Sequence, residues 1–75
     1  MEFDLEVDTS GLKCPLPILR TKKVLADMES GQVLKVLATD RGAIGDFAAF
    51  ARQTGNTLLE HSEQDDVLIF YLRRR

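Results

Sequence analysis

The chain has very few residues that can bind a metal or form a disulfide. Its 75 residues include one cysteine, Cys14, and one histidine, so it has neither an internal disulfide nor the ligand set of an ordinary zinc site. We therefore expect no metal and no cofactor. A lone thiol without a disulfide framework is typical of a reducing compartment, which predicts a cytoplasmic protein.

Long apolar segments are also absent. The longest apolar run, Val67–Leu72, has six residues, whereas a helix that crosses a bilayer needs about 20. The first twelve residues carry four acidic side chains, the wrong pattern for a signal peptide, so we expect no leader and no membrane association. A net charge of −2 argues against nucleic-acid binding by the surface as a whole.

The residues that are present have the composition of one small folded domain. Apolar residues make up 44% of the chain and charged residues 29%, a balance typical of globular proteins. At this length we predict a single domain over residues 1–75 with a thin core.

Alternating residues near the N-terminus predict the first strand. Phe3, Leu5 and Val7 occupy every second position, which indicates a strand with one buried face. The residues between and around them are acidic and should lie on the opposite, open face of the sheet. They are Glu2, Asp4, Glu6 and Asp8.

Two prolines indicate where the first helix begins. Pro15 and Pro17 fit only the first turn of a helix, so the helix should begin there, with Pro15 at its first position. Cys14 then lies at or next to the N-cap, and the helix should run to about Met28. Inward side chains recur at helical spacing and are Ile18, Thr21, Leu25 and Met28.

A second strand and a second helix follow. Val33–Thr39 is β-branched and apolar, as in a central strand. Asp40 can cap the next helix, and Gly55 is a good C-terminal stop for it. The predicted inward stripe of this helix consists of Ile44, Phe47, Ala48 and Ala51.

The last third of the chain predicts a hairpin and completes the order βαβαββ. Thr57–Glu63 and Val67–Leu72 are two strands around a turn at residues 64–66. Right-handed crossovers between parallel strands put both helices on the same side of the sheet. The predicted fold is α/β (α+β): a two-layer α/β sandwich with two helices packed on one face of a four-stranded mixed sheet.

The residues around Cys14 favour a reactive thiol. A thiolate at a helix N-terminus is stabilised by the helix dipole and by free amide groups. Pro15 and Pro17 remove two such donors and leave the amide of Leu16, so we expect a moderate lowering of the thiol pKa. The prolines stiffen the turn, and Lys13 flanks it. The residues expected to position the thiol and to affect its pKa are therefore Lys13, Pro15, Leu16 and Pro17. The alternative is a small buried cysteine, against which Lys13 and the fixed turn argue.

Several motifs resemble those of one known family in the same order and spacing. Gly11–Pro17 reads GLKCPLP, a Gly-x-x-Cys-Pro-x-Pro motif, and Ala38–Asp40 comes before the second helix. Asp46-Phe47 follows in that helix, and Gln53–Asn56 precedes the hairpin. Along essentially its whole length the chain resembles the TusA family of sulfur-carrier proteins, also called SirA-like. It departs from the common pattern at Arg41, where the family often has proline, and after Asp46, where the family often has Ile-Pro.

The resemblance implies a βαβαββ fold and a function in sulfur transfer. The cysteine that matches Cys14 accepts sulfur as a persulfide from a donor protein, such as a cysteine desulfurase or a rhodanese-like protein. It then passes the sulfur to an acceptor protein in relays that serve tRNA thiolation, cofactor biosynthesis or sulfur oxidation. The implied role is a sulfurtransferase-type carrier that acts on partner proteins, rather than a stand-alone enzyme.

A docking surface is predicted beside the thiol. Leu16 and Leu19 lie off the inward stripe of the first helix, on the same side as Arg20 and Lys23. An apolar pair among basic residues suits docking of a sulfur donor, whereas the alternative is that both leucines pack on the second helix or a loop. We expect the chain to be a monomer.

The remaining polar residues have simple structural explanations. Helix capping and dipole placement explain Asp40 and Asp46, and His61 fits an exposed strand position. Arg73–Arg75 fits a solvated basic tail, although it could also add to a partner-binding or RNA-binding patch.

Two other functions use the same residues differently. A thiol redox sensor would also depend on Cys14, but the chain has no second cysteine to resolve an oxidised thiol. A regulatory protein-interaction module would need no reactive thiol. The acidic net charge and the cysteine motif argue against it.

Overall fold

Six secondary-structure elements follow one another in the computed structural model, which describes residues 1–75. They are β1 (Leu5–Thr9), α1 (Leu16–Ala26), β2 (Val33–Ala38), α2 (Ala43–Thr54), β3 (Thr57–Gln64) and β4 (Val67–Arg73). The strands form one sheet in the order β1-β2-β4-β3, in which β1 runs parallel to β2 and the other neighbours are antiparallel. The predicted order βαβαββ and the four-stranded mixed sheet are confirmed. Neither helix is long and apolar enough to cross a bilayer.

One hydrophobic core lies between the sheet and the two helices. Alternate residues of β2 and β4 face it, as the period of two requires. Phe47 of α2 stacks on Phe70 of β4 with 4.6 Å between ring centroids, and both side chains are completely buried. The fully or nearly fully buried apolar residues are Leu25, Met28, Leu34, Val36, Ala38, Ala43, Phe47, Phe50, Ala51, Leu68, Phe70 and Leu72.

The buried face of α2 differs from the predicted stripe. Ile44 is 36% exposed, whereas Phe50, which the stripe left out, is only 7% exposed. Phe50 packs edge-to-face on Phe47 with 6.4 Å between centroids, so the face that α2 turns to the sheet is the one that buries two aromatic rings. In α1 the helix ends at Ala26 rather than Met28, although Met28 is still buried.

The first strand begins two residues later than the alternation suggested. Phe3 lies outside β1, and its ring reaches the open face of the sheet instead of the core. There it lies 6.3 Å from the ring of Tyr71, and the ammonium group of Lys35 lies 5.1 Å from its centroid. Since these two partners stand on the open face of β4 and β2, the prediction that Phe3 joins the buried face is wrong.

The acidic residues of the first segment serve different purposes. Glu6 is paired with Lys35 in the sheet register and lies 3.6 Å from its ammonium group, on the open face as predicted. Asp4 instead accepts a hydrogen bond of 2.8 Å from the amide of Val33, so its carboxylate ties the start of β1 to β2. Asp4 lies just before β1, and its exposed side chain satisfies an amide at the start of β2.

The C-terminal arginines are part of the fold rather than a solvated tail. Arg74 extends the sheet: its amide donates to the carbonyl of Gln32, and its carbonyl accepts from the amide of Gly31, both at 2.9 Å. Its guanidinium Nε donates to the carbonyl of Leu25 at 2.7 Å and caps the end of α1. Arg75 donates its amide to Asn56 Oδ1 at 2.8 Å. The tail prediction is wrong because these groups satisfy helix and strand ends far away in sequence.

The hairpin between β3 and β4 is tighter than predicted. Its loop consists of Asp65 and Asp66, both with positive φ (52° and 67°), which is the geometry of a two-residue type I′ turn. β3 carries a bulge between Leu58 and Glu60. His61 is exposed, as predicted, and packs against Phe70 with 6.1 Å between ring centroids.

Gly45, within α2, and Gly55, at the C-terminal end of α2, provide a matched test of the backbone conformation. Gly55 ends α2 with φ of 79°, and a Cβ there would lie 2.9 Å from Cδ of Arg75. Gly55→Ala should lower the free energy of unfolding by about 1–2 kcal/mol, because the left-handed conformation disfavours a side chain. Gly45→Ala, whose Cβ would meet no atom within 4 Å, should raise it by about 0.5–1 kcal/mol. Urea unfolding of both variants measures the difference, and equal effects would contradict the assignment of Gly55.

Candidate functional site

The parallel pairing of β1 and β2 brings two loops together. The register runs from Leu5 opposite Leu34 to Thr9 opposite Ala38, so both strands end at the same edge of the sheet. The loop from residue 10 to residue 15 therefore lies beside the loop from residue 39 to residue 42. Each loop leads into a helix, so the N-terminal ends of α1 and α2 are neighbours at this edge.

Side chains of the second loop hold the first loop through its backbone. The amide of Gly11 donates to Thr39 Oγ1 at 2.8 Å. The amide of Cys14 donates to Asp40 Oδ2 at 2.7 Å, and the amide of Gly42 donates to Asp40 Oδ1 at 3.0 Å. One carboxylate thus bridges the segment that carries the cysteine and the start of α2. These two amide donors, that of Cys14 first, hold the pKa of the Asp40 carboxyl below its ordinary value.

Asp40 was predicted to cap the second helix, and this prediction is wrong. The N-cap position of α2 is Gly42, which has no side-chain capping bond. Asp40 precedes it by two residues, and half of its hydrogen bonding goes to Cys14 instead. Asp46 does lie in the first turn of α2, as predicted, and its carboxylate also raises the pKa of the Cys14 thiol.

The start of α1 also differs from the prediction in two details. Pro15 is the N-cap residue and not the first helical residue, whereas Pro17 lies in the first turn and is buried. Cys14 is next to the N-cap, which agrees with the sequence. The amide of Leu16, expected to be free, donates to the carbonyl of Lys13 at 2.9 Å. The donor that was expected to stabilise a thiolate is therefore already used.

The thiol of Cys14 is exposed, which excludes a small buried cysteine. Its pKa is raised above the ordinary value, and not lowered as predicted. The main cause is a hydrogen bond from the thiol to the carboxylate of Asp46; some desolvation and the negative charges of Asp46 and Asp40 act in the same direction. Two carboxylates from the neighbouring loop and helix thus outweigh the N-terminus of α1, and the free thiol is protonated at neutral pH.

The other residues predicted for the site extend from Lys13, next to the cysteine, to Lys23 in the last turn of α1. Lys13, Arg20 and Lys23 are exposed. Leu16 is 47% exposed and Leu19 is 53% exposed, so both apolar side chains are accessible from solvent. Their role in docking stays a prediction.

The sequence interpretation missed Thr39 and Asp40 as partners of the cysteine loop, and Asp46 as a carboxylate that affects the thiol. A signal for them was present in the topology, because segments that follow two parallel neighbouring strands meet at one edge of the sheet. Asp40 lies just after the end of β2, and Cys14 lies in the loop just after the end of β1. Reading both loops together would have indicated a contact between Asp40 and Cys14.

Removal of the Asp46 carboxylate should make the thiol more acidic. Asp46→Asn eliminates the charge and the principal acceptor of the thiol proton, so the pKa of Cys14 should fall toward its ordinary value. The rate of alkylation by iodoacetamide, measured from pH 6 to pH 11, should then rise at lower pH than in the unmodified chain. Above both pKa values the two rates should converge.

A matched control keeps this test specific. Asp27→Asn removes an equivalent charge at the opposite end of α1 and should leave the alkylation profile unchanged. An unchanged profile for Asp46→Asn would contradict the hydrogen bond between the two side chains.

Comparisons with known proteins cover nearly the whole chain. Residues 5–74 match the family described as sulfurtransferase TusA. The chain is 56% identical over 73 residues to the sulfur carrier protein TusA of Allochromatium vinosum, covering 97% of this chain and 96% of the relative. It is 61% identical over 69 residues to a candidate sulfur carrier protein of Neisseria meningitidis serogroup A, covering 92% and 93%.

A solved structure has the same fold. The crystal structure of a SirA-like protein from Desulfitobacterium hafniense superposes with a TM-score of 0.83 at 29% identity, over 93% of this chain and 96% of that one. The resemblance predicted from the cysteine motif is confirmed: the chain belongs to the TusA family.

Proposed function

We propose that this chain is a sulfur carrier in which Cys14 holds the transferable sulfur as a persulfide. The observation that carries the proposal is the position of the cysteine. It is the only thiol of a TusA-family chain, it is exposed, and it lies where the N-terminal ends of two helices meet. Relatives of similar length are named sulfur carrier proteins, which supports the same role here.

The transfer needs no oxidant, because the sulfur that moves is already at the persulfide oxidation level. The Cys14 thiolate attacks the terminal sulfur of a persulfide on the donor, a cysteine desulfurase or a rhodanese-like protein. A new sulfur–sulfur bond forms on Cys14, and the donor's own bond to that sulfur breaks. The donor leaves as a thiolate and takes up the proton that Cys14 has lost. Delivery to the acceptor repeats these steps with Cys14 as the leaving group.

The surroundings of Cys14 suit a thiol that reacts with a docked partner. Asp40 fixes its backbone while the sulfur stays exposed, so the reacting atom has a defined position without a closed pocket. Asp46 raises the pKa of the free thiol and so lowers the fraction present as thiolate, which slows reaction with oxidants in solution. A persulfide is a weaker base than a thiol, and its terminal sulfur lies about 2 Å farther out. The loaded form is therefore more readily ionised than the empty one.

These properties favour a carrier over a redox sensor. A sensor cysteine has a low pKa and commonly a resolving cysteine nearby. Cys14 has a raised pKa and no companion thiol. A reducing compartment such as the cytoplasm would keep it available for sulfur. Acceptors in tRNA thiolation, cofactor biosynthesis or sulfur oxidation all require the same transfer step.

We further propose that partners dock on the exposed face of α1 beside the thiol. Leu16 and Leu19 are about half exposed there, and Arg20 and Lys23 add positive charge. A partner that fits would present an acidic rim around a small apolar patch.

Replacement of the cysteine is the direct test of the carrier. Cys14→Ser should abolish sulfur loading and leave the fold unchanged, because the exposed thiol makes no packing contribution to the core. Intact mass is measured after incubation with a cysteine desulfurase and cysteine. The unmodified chain should gain the mass of one sulfur atom, lost again on reduction. Sulfur on the serine variant, or none on the unmodified chain with any donor, would sink the proposal.

Charge reversal tests the docking face. Arg20→Glu combined with Lys23→Glu should slow sulfur uptake from a donor protein by at least about tenfold, which corresponds to roughly 1.4 kcal/mol. The defect should shrink as salt screens the attraction in the unmodified chain. Alkylation of Cys14 by a small reagent should change far less, since it needs no docking.

A control with the same change of charge accompanies this test. Arg52→Glu combined with Arg73→Glu alters two other exposed arginines, at the ends of α2 and β4. It should load at nearly the original rate. Equal defects in both double variants would show an effect of net charge alone and contradict docking on α1.

A further inference from the structure

An open cleft of about 190 Å³ lies between the C-terminal ends of the two helices. Leu25 of α1 and Phe50 of α2 give it an apolar side, and Lys22, Asn56, Arg74 and Arg75 give it a polar one. The thiol lies at the other end of α1, which has 11 residues and is therefore about 16 Å long. The cleft is thus separate from the carrier site.

The cleft collects positive charge that no acidic side chain neutralises. Three cationic side chains line it, those of Lys22, Arg74 and Arg75, and no acidic side chain does. The two ion pairs of the structure involve Lys35 and Arg41, so none of the three cleft cations is in a salt bridge. In a chain with a net charge of −2, this is a local excess of positive charge.

Hydrogen bonds fix the polar side of the cleft before any ligand arrives. The guanidinium of Arg74 donates through Nε to the carbonyl of Leu25 at 2.7 Å and through Nη1 to the carbonyl of Arg75 at 2.9 Å. Three of its five N–H groups stay available. Asn56 accepts from the amide of Arg75 and donates to Thr54 Oγ1 at 2.9 Å. The side chains of Arg74 and Asn56 are therefore held in position, which lowers the entropic cost of binding a ligand to them.

Neutralisation of the helix ends explains only part of this arrangement. Cations are favourable near helix C-termini, and the bond from Arg74 to Leu25 serves that purpose. One donor meets this need. Lys22 makes no hydrogen bond to the end of α1, and the side chain of Arg75 makes none to α2. The absence of a carbon side chain at Gly55 leaves the space in which Arg75 lies.

We propose that this cleft binds a compact divalent oxyanion, a phosphate or sulfate group. Three cations around one small space more than balance the two negative charges of such a group, and guanidinium groups bind the oxygens of these anions in pairs. The volume equals about six water molecules, enough for one such group and a short carbon chain along Leu25 and Phe50. The net charge of the chain disfavours binding of an extended polyanion. The proposal is independent of the carrier function.

Titration with inorganic anions tests the proposal on the whole chain. Amide signals of the ¹⁵N-labelled protein are followed during addition of phosphate, sulfate or chloride at constant ionic strength. Phosphate and sulfate should shift the signals of residues 22, 55, 56, 74 and 75 with saturation, and should raise the unfolding temperature. Lys22→Gln combined with Arg75→Gln should weaken binding by at least about tenfold, the change in equilibrium that roughly 1.4 kcal/mol produces.

Arg52→Gln serves as the matched control, since it removes an exposed charge of α2 outside the cleft. It should leave the titration unchanged. Equal shifts with chloride, or equal losses in the control and the cleft variant, would mean general screening and overturn the proposal. Tighter binding of a short RNA than of phosphate, without displacement by phosphate, would also overturn it. The surface would then bind an extended polyanion rather than one compact anion. Loading of Cys14 with sulfur should be unaffected throughout.

Discussion

The carboxylate of Asp40 holds together the two loops that form the candidate site. Its two oxygens accept the amides of Cys14 and Gly42, which lie 26 and 2 residues away in sequence. The carboxylate can do this because the parallel pairing of β1 and β2 ends both strands at one edge, where Thr9 also donates its hydroxyl to the carbonyl of Leu37. The backbone of the thiol loop is thus set by sheet geometry, and the sulfur needs no enclosing pocket.

The same placement of carboxylates determines the chemistry of the thiol. A helix N-terminus alone would favour the thiolate, but Asp46 and Asp40 oppose it from the adjoining helix and loop. An idle carrier that is protonated is poorly reactive toward oxidants. In the proposed carrier, the raised pKa of Cys14 thus protects the empty protein from oxidants. The charges of a docked partner can lower that pKa and allow the thiol to react.

Local patterns predicted the elements and the family, whereas contacts between distant residues were not predictable from them. Apolar residues that recur at every second position or at helical spacing indicate all six elements in order, and the cysteine motif indicates the family. On the buried face of α2, Phe50 takes the position that the pattern assigned to Ile44. It does so because its ring packs on the ring of Phe47, one helical turn away. Arg74 satisfies the end of a helix 49 residues earlier, and no local pattern records such a partner. The raised pKa of Cys14 likewise depends on a carboxylate from another element.

The place of β4 in the sheet governs the order in which the chain can fold. It is the last strand in sequence, yet it lies between β2 and β3 and supplies the ring of Phe70 to the centre of the core. Until it is synthesised, β2 has only β1 as a partner and β3 has none. The loops around Cys14 can approach each other early through β1 and β2, but a stable layer of helices needs the completed sheet. The apolar faces of β1, β2 and β3 therefore stay incompletely covered until β4 takes its place in the sheet.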